Sequence, residues 1–220
     1  MSLDFQDLHA TLLNLALAES YKCVPSPGAF SVGSVIFLPR SPVTKQLDAS
    51  GNSRTDGTED ASDPLDELYA LLESFFPTLR LASTAELEQA AGRQEEPNIE
   101  VQGLILSASY SRALEGNTHA EANALTLLEQ KISSLPAQLQ HSVLAATGVQ
   151  SEDPGASPGA VYQAILSRAW MYATMEPCSR RTSGLRSCTD AILASSLKRV
   201  YIVSNESFHA GRDSHGISDF

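Results

Sequence analysis

Four short apolar runs, rich in β-branched and aromatic residues, alternate with segments whose apolar residues recur at helical spacing. That alternation restricts the fold more than any other feature of the chain. The runs cover residues 30–38, 99–108, 169–175 and 199–204. Phe30-Ser31-Val32-Gly33-Ser34-Val35-Ile36-Phe37-Leu38 follows the breakers Pro25, Pro27 and Gly28 and suits a buried strand. Val101, Leu104, Ile105 and Leu106 supply the second run, and Trp170 and Tyr172 alternate in the third as core residues would. Between them, Leu8, Leu12, Leu15 and Ala16 predict a helix over 4–19, and Ala124, Leu125, Leu128 and Ile132 another over 120–132. A short helix fits 188–196. The order helix, two strands, helix, strand, helix, strand is a layered α/β design, and strands joined through helices are expected to lie parallel.

Two stretches interrupt the pattern. Residues 40–63 are rich in Ser, Asp, Gly and Thr, a composition that buries too little apolar surface to order itself. Leu68, Leu71, Leu72 and Phe75 then predict a docked helix over 65–76, ended by Pro77. The second interruption, about 133–160, ends in a Pro- and Gly-containing loop at 151–159. The 220 residues therefore predict a single domain, 1–220, carrying an acidic insertion at about 40–97 and a second at about 133–160. The net charge of −11 is concentrated in the first: residues 41–100 hold thirteen acidic and four basic side chains, leaving −2 for the other 160. Such a body offers no basic groove for nucleic acid. No run approaches the roughly 18 apolar residues of a membrane span. Acidic Asp4 near the start and only three cysteines predict an intracellular, cytoplasmic protein.

The chemistry gathers in His119-Ala120-Glu121, Pro177-Cys178 and Cys188. One imidazole and two thiolates are good zinc ligands, and three protein ligands leave the fourth tetrahedral position open, as catalytic zinc requires. His119 and Glu121 open a helix after the turn Gly116-Asn117-Thr118; Cys178 follows a strand and Cys188 opens the next helix. Helix N-termini favour thiolate over thiol. Glu121, two residues from His119, need not be a ligand and can move protons to and from a zinc-bound water. Singly, each has an ordinary role: a helix-start histidine as cap, buried cysteines as small hydrophobes, Glu121 as a first-turn charge. Their combination at these places favours zinc. Cys23 has no His or Cys nearby and reads as a buried hydrophobe; His9, His141, His209 and His215 carry no local signal.

The His-x-Glu and Pro-Cys pattern resembles the zinc-dependent cytidine deaminase superfamily, whose metal and glutamate roles are known in outline. The cysteine spacing departs from that outline, with nine residues between Cys178 and Cys188 where two are usual. The long spacing is similar to the pyrimidine deaminases of riboflavin biosynthesis, as are the tracts 109–121, 174–192 and Ser31-Val32-Gly33-Ser34-Val35-Ile36. Bacterial members usually have Asn-Pro where this chain has Ala29-Phe30, and a His where it has Arg112; Glu206 stands where an Asp is usual. The pattern looks like the stand-alone fungal form.

The resemblance implies a three-layer α/β/α cytidine deaminase-like fold with a central mixed or mostly parallel sheet. It also implies Zn²⁺ held by His119, Cys178 and Cys188, with Glu121 catalytic. The family substrate is 2,5-diamino-6-ribitylamino-4(3H)-pyrimidinone 5'-phosphate, which loses its 2-amino group as ammonia. Its phosphate needs cations, for which Arg112, Arg180 and Arg181 are candidates and Arg186 a weaker one; Asn117 and Glu206 are candidates for the pyrimidine or ribityl hydroxyls. The expected partners are this phosphorylated small molecule and a second copy in a homo-oligomer, a dimer, with no nucleic acid and no membrane. Two competing readings are a zinc deaminase of another base (cytidine, guanine or tRNA adenosine) and a non-catalytic zinc-binding relative.

Overall fold

The computed structural model describes residues 5–26, 30–40, 64–81, 100–148, 157–181 and 184–203. In chain order the elements are α1 (Phe5–Ser20), β1 (Gly33–Pro39), α2 (Pro64–Leu72), β2 (Thr78–Leu81), β3 (Glu100–Tyr110), α3 (Ala120–Ser133), α4 (Ala137–Ala146), α5 (Pro158–Leu166), β4 (Trp170–Ala173), α6 (Cys188–Ala194) and β5 (Arg199–Ile202). The strands form one five-stranded sheet in the order β2-β3-β1-β4-β5.

Strand alternation sorts the core into two layers. Ile36, Leu38, Leu104, Leu106, Met171, Val200 and Ile202 pack beneath α3, together with α2, α4 and α5. Val35, Phe37, Trp170, Tyr172 and Tyr201 face the other way, against Leu8, Leu12 and Ala16 of α1. Helices therefore cover both faces, which is the three-layer α/β/α arrangement expected. Trp170 and Tyr172 are core residues, and His9 joins them: its Nδ1 lies 2.8 Å from the Tyr172 hydroxyl and its ring 4.4 Å from that of Tyr201.

The sheet is mixed. The pairs β1–β3, β1–β4 and β2–β3 are antiparallel, and β4–β5 is parallel. The parallel expectation holds where helices make the connection, because β3, β4 and β5 all run one way. It fails for β1, which is inserted between β3 and β4 in the opposite direction. Register puts Gly33 opposite Tyr110 and Ser34 opposite Ala173, so β1 begins where β3 and β4 end. Side chains and backbone fasten that junction. Ser111 N donates to the Val32 carbonyl at 2.9 Å and Val32 N to Ser111 Oγ at 3.1 Å. Gly33 N donates to Thr174 Oγ1 at 3.0 Å, and Thr174 N returns a bond to the Gly33 carbonyl at 3.0 Å.

Both interrupting stretches contribute to the core more than their composition predicts. The helix foreseen over 65–76 ends at Leu72 and passes through a turn, and β2, which was not foreseen, then adds to the edge of β3. Four residues are too few for alternation to stand out; pairing with β3 makes them a strand. Leu68, Leu72 and Phe76 are buried, and Arg40 lies 3.6 Å from Asp66 and over the Tyr69 ring. In the second stretch α4 and α5 were not foreseen, although Val143, Leu144, Val161 and Ile165 supply buried faces. The loop expected at 151–159 is already helical at its end, because Ser157 is the N-cap and Pro158 takes the first turn, where its missing N–H costs nothing. Residues 40–63 otherwise fall outside the described residues beyond Arg40. No helix among the described residues is long and apolar enough to cross a membrane.

Gly33 is the tightest point of this arrangement. A Cβ built there would lie 1.8 Å from the Ala16 carbonyl oxygen and 2.6 Å from Ser20 N, both backbone atoms of α1. Gly33→Ala should therefore cost about 3 kcal/mol, whereas Gly159→Ala, which meets only Ser157 Oγ at 3.6 Å in α5, should be neutral or slightly stabilising. Urea unfolding midpoints of the two variants check the contrast.

Candidate metal centre and active site

Because β3 and β4 run in the same direction, the segments that follow them emerge at one edge of the sheet. The chain leaves β3 through the turn at 111–118 and enters α3 with His119 as N-cap; it leaves β4 through Met175, Glu176 and Pro177 to Cys178. Cys188 is the first residue of α6, whose N-cap Ser187 accepts a hydrogen bond from Asp190 N at 3.0 Å. These starts converge. His119 Nδ1 lies 3.4 Å from Cys178 Sγ and 3.5 Å from Cys188 Sγ, and the three donor atoms lie within 4.8 Å of one another.

The donor set fits zinc. Tetrahedral zinc with ordinary Zn–S and Zn–N bonds places a sulfur and a nitrogen about 3.6 Å apart, close to the two separations observed. Charge points the same way. Burial pushes the Cys188 thiol well up, and the Glu121 carboxylate and the Cys178 sulfur push it further. Burial, then the charge of Arg181, holds His119 below the usual histidine range, which keeps the imidazole neutral and able to ligate. A cluster of a neutral imidazole and two sulfurs beside a carboxylate is stabilised by a cation at its centre. Cys188 N, at the start of α6, also donates to Cys178 Sγ at 3.4 Å. The Thr189 hydroxyl fixes the Pro177 carbonyl at 3.1 Å, so the Cys178 loop is fastened to α6 from two sides.

Glu121 occupies the next position inward. It is 3% exposed, lies one residue inside α3, and its Oε2 is 3.4 Å from Cys188 Sγ. A cavity of about 210 Å³ opens over it, lined by Phe30, Val32, Arg112, Asn117, Glu176 and Cys178 among others. His119, Glu121 and Cys178 all reach this cavity, so two of the three candidate donors and the carboxylate share a space of small-molecule size, with Cys188 buried behind them.

Other candidate residues are distributed unequally. Asn117 and Arg112 line the cavity. Arg112, with a left-handed backbone φ of 65°, donates through Nη2 to Cys23 Sγ at 3.2 Å and to the Val24 carbonyl. Arg181 stands beside the centre, its Nη2 donating to the Asn117 carbonyl at 2.5 Å, and borders a neighbouring groove between α3 and α6. Arg180 is exposed, and Arg186 turns away to the Asp190 carbonyl at 2.8 Å. Glu206 lies outside the described residues. Sequence reasoning passed over Phe30, Met175 and Glu176 as cavity walls; adjacency to Pro177-Cys178 and to the start of β1 was the available signal. It also treated Cys23 as an isolated hydrophobe, because its partner lies 89 residues away.

No family model matches the chain. Over 104 residues, 47% of its length, the chain is 35% identical to the diaminohydroxyphosphoribosylamino-pyrimidine deaminase of Schizosaccharomyces pombe. The match spans 18% of that protein. A crystal structure of Aspergillus oryzae Rib2 deaminase, a C-terminal deletion mutant, aligns over 90% of this chain and 73% of that one at 20% identity and a TM-score of 0.43. The same enzyme in complex with DARIPP aligns over 90% and 72%, with a TM-score of 0.42. Over about half of its length, then, this chain is similar in sequence to a pyrimidine deaminase, of which it spans less than one fifth.

Proposed function

We propose that the chain is a zinc-dependent hydrolase that removes the 2-amino group of 2,5-diamino-6-ribitylamino-4(3H)-pyrimidinone 5'-phosphate as ammonia. The observation that carries this reading is Glu121, a carboxylate buried on the cavity side of a His119, Cys178 and Cys188 donor set. A purely structural zinc site needs no such group. The name of the Schizosaccharomyces pombe relative supports a phosphorylated aminopyrimidine as the substrate class. In this reading one deaminase domain spans the chain, and the stretches at about 40–97 and 133–160 are insertions into it.

His119, Cys178 and Cys188 would hold the zinc, which when bound supplies a Lewis acid able to bring a water's pKa to about 7. Glu121 then does the proton work. Its carboxylate accepts a proton from the attacking water and delivers it to the ring nitrogen beside C2 as the C2–O bond forms; it then takes the second proton from the new C2 hydroxyl and passes it to the amine, so that the C2–N bond breaks, C2 becomes a carbonyl and ammonia leaves. Burial suits it to the task, since a carboxylate shielded from bulk water returns its proton to the substrate and not to solvent. Asn117 lies at the cavity wall, placed to bind the pyrimidine, and Arg181 holds the Asn117 backbone in place. Arg112 supplies positive charge for the phosphate.

Ammonia release tests the assignment: turnover is expected with the ribityl phosphate, and turnover confined to its ribosyl form, cytidine or a tRNA stem-loop would replace it. Glu121→Gln should lower kcat by about 10²–10⁴-fold while zinc content, measured by atomic absorption, stays at that of the parent. Indifference of both would favour the non-catalytic reading. Chelation should lower the thermal midpoint by about 5 °C or more, with recovery on adding zinc. Because burial and neighbouring anions raise the Cys188 thiol, the metal must displace its proton, and zinc affinity should rise with pH through the neutral range. Competition with a colorimetric chelator at several pH values reads that slope.

A further inference from the structure

Arg112 reaches the cavity along an unusual course. It follows the last residues of β3 with φ 65°, its backbone N donates to the Thr118 carbonyl at 2.7 Å, and its side chain crosses to the turn after α1. There one nitrogen, Nη2, meets two acceptors from adjacent residues: Cys23 Sγ at 3.2 Å and the Val24 carbonyl. Among the described residues these are the guanidinium's partners, and Arg112 also lines the cavity.

Cys23 is built to hold that contact. It is 4% exposed and follows the end of α1 with its backbone N on the Ser20 carbonyl at 3.1 Å. Burial alone raises a thiol, but here the Arg112 hydrogen bond and charge, together with the nearby Ser31 side chain, outweigh it and lower the Cys23 pKa. Sulfur carrying more negative character is the better acceptor for a guanidinium. Ser31 leads into Val32, which Ser111 binds in turn, so the contact belongs to the same junction that fastens β1 to β3.

We propose that Cys23 is a positioning residue for substrate binding: its sulfur, with the Val24 carbonyl, aims the Arg112 guanidinium at the anionic group of the ligand. This rests on the reading above that Arg112 serves the substrate phosphate. Cys23 touches no substrate atom itself and acts by limiting where a long, flexible cation can go. A guanidinium already oriented loses less freedom when it binds an oxyanion.

Calorimetry on zinc-loaded Glu121→Gln protein separates these roles without turnover. The quantity read is the affinity advantage of the phosphorylated pyrimidine over its dephosphorylated counterpart. Arg112→Gln should cut that advantage roughly tenfold or more, and Cys23→Ala about three- to tenfold. Cys23→Ser, which keeps an acceptor, should recover much of it, and adding Cys23→Ala to Arg112→Gln should take away nothing further. Should Cys23→Ala not fold, Cys23→Val fills the same volume without the acceptor. If Arg112→Gln collapses the advantage and the Cys23 variants do not, the proposal for Cys23 is wrong and the Arg112 reading survives. If the Cys23 variants weaken both ligands equally, the sulfur is packing only and the proposal is overturned. An unchanged advantage in Arg112→Gln, or no binding of either pyrimidine, removes the phosphate reading or the proposed function respectively, and the role of Cys23 with it.

Discussion

The placement of β1 between β3 and β4 governs the rest of the structure. Strands in a sheet lie about 4.8 Å apart, so one intervening strand sets the exits of β3 and β4 about 9.6 Å from each other. That gap is wide enough for a pocket and narrow enough for residues beginning two different helices to touch one atom. With β3 and β4 adjacent, the segments entering α3 and leading to Cys178 would crowd the same space. Because β1 runs the other way, it brings its own beginning to the edge where its neighbours end, and Val32 helps line the cavity between them. The absence of a side chain at Gly33 lets α1 press against that junction from the opposite face.

Around this junction, polar and apolar forces have separate tasks. The core beneath α3 fixes the distance of the helix from the sheet through Ala120, Ala124, Leu125 and Leu128, whose mixture of small and large side chains allows close approach. Asn123, also buried, donates to the Tyr110 carbonyl at 3.0 Å and so ties the first turn of α3 to the last residue of β3. The orientation of His119 and Glu121 is thus set by a hydrogen bond and a packed face, before any ligand arrives. Preorganisation of this kind would let a centre with two sulfurs and a carboxylate in close contact select a cation.

Much of this was legible in the sequence, for physical reasons that differ by element. β1, β3, β4 and β5 announce themselves because apolar runs bounded by breakers have few other solutions, and α1 and α3 because their apolar residues repeat every third or fourth position. His119, Cys178 and Cys188 stood out because ligand chemistry restricts residue type, and the structure does bring their donor atoms together. β2 was invisible because its four residues become a strand only by pairing with β3. α5 was hidden by Pro158 and Gly159, which mark a loop by composition and a helix start by position. The direction of β1 escaped because periodicity reports which face is buried and is silent on which way a strand runs. The contact between Cys23 and Arg112 escaped because no local pattern links residues so far apart.

The pairing of β2 with β3 also decides where the molecule tolerates novelty. The chain leaves the sheet at Leu81 and re-enters it at Glu100, directly across the ladder. Glu100 lies at the opposite end of β3 from Tyr110, about 33 Å of extended strand away. Leu81 and Glu100 thus present two chain ends one strand spacing apart, at the end of β3 remote from the chemistry. A reporter, a tether or a whole folded module spliced between those two points would enter and leave the sheet by the same door.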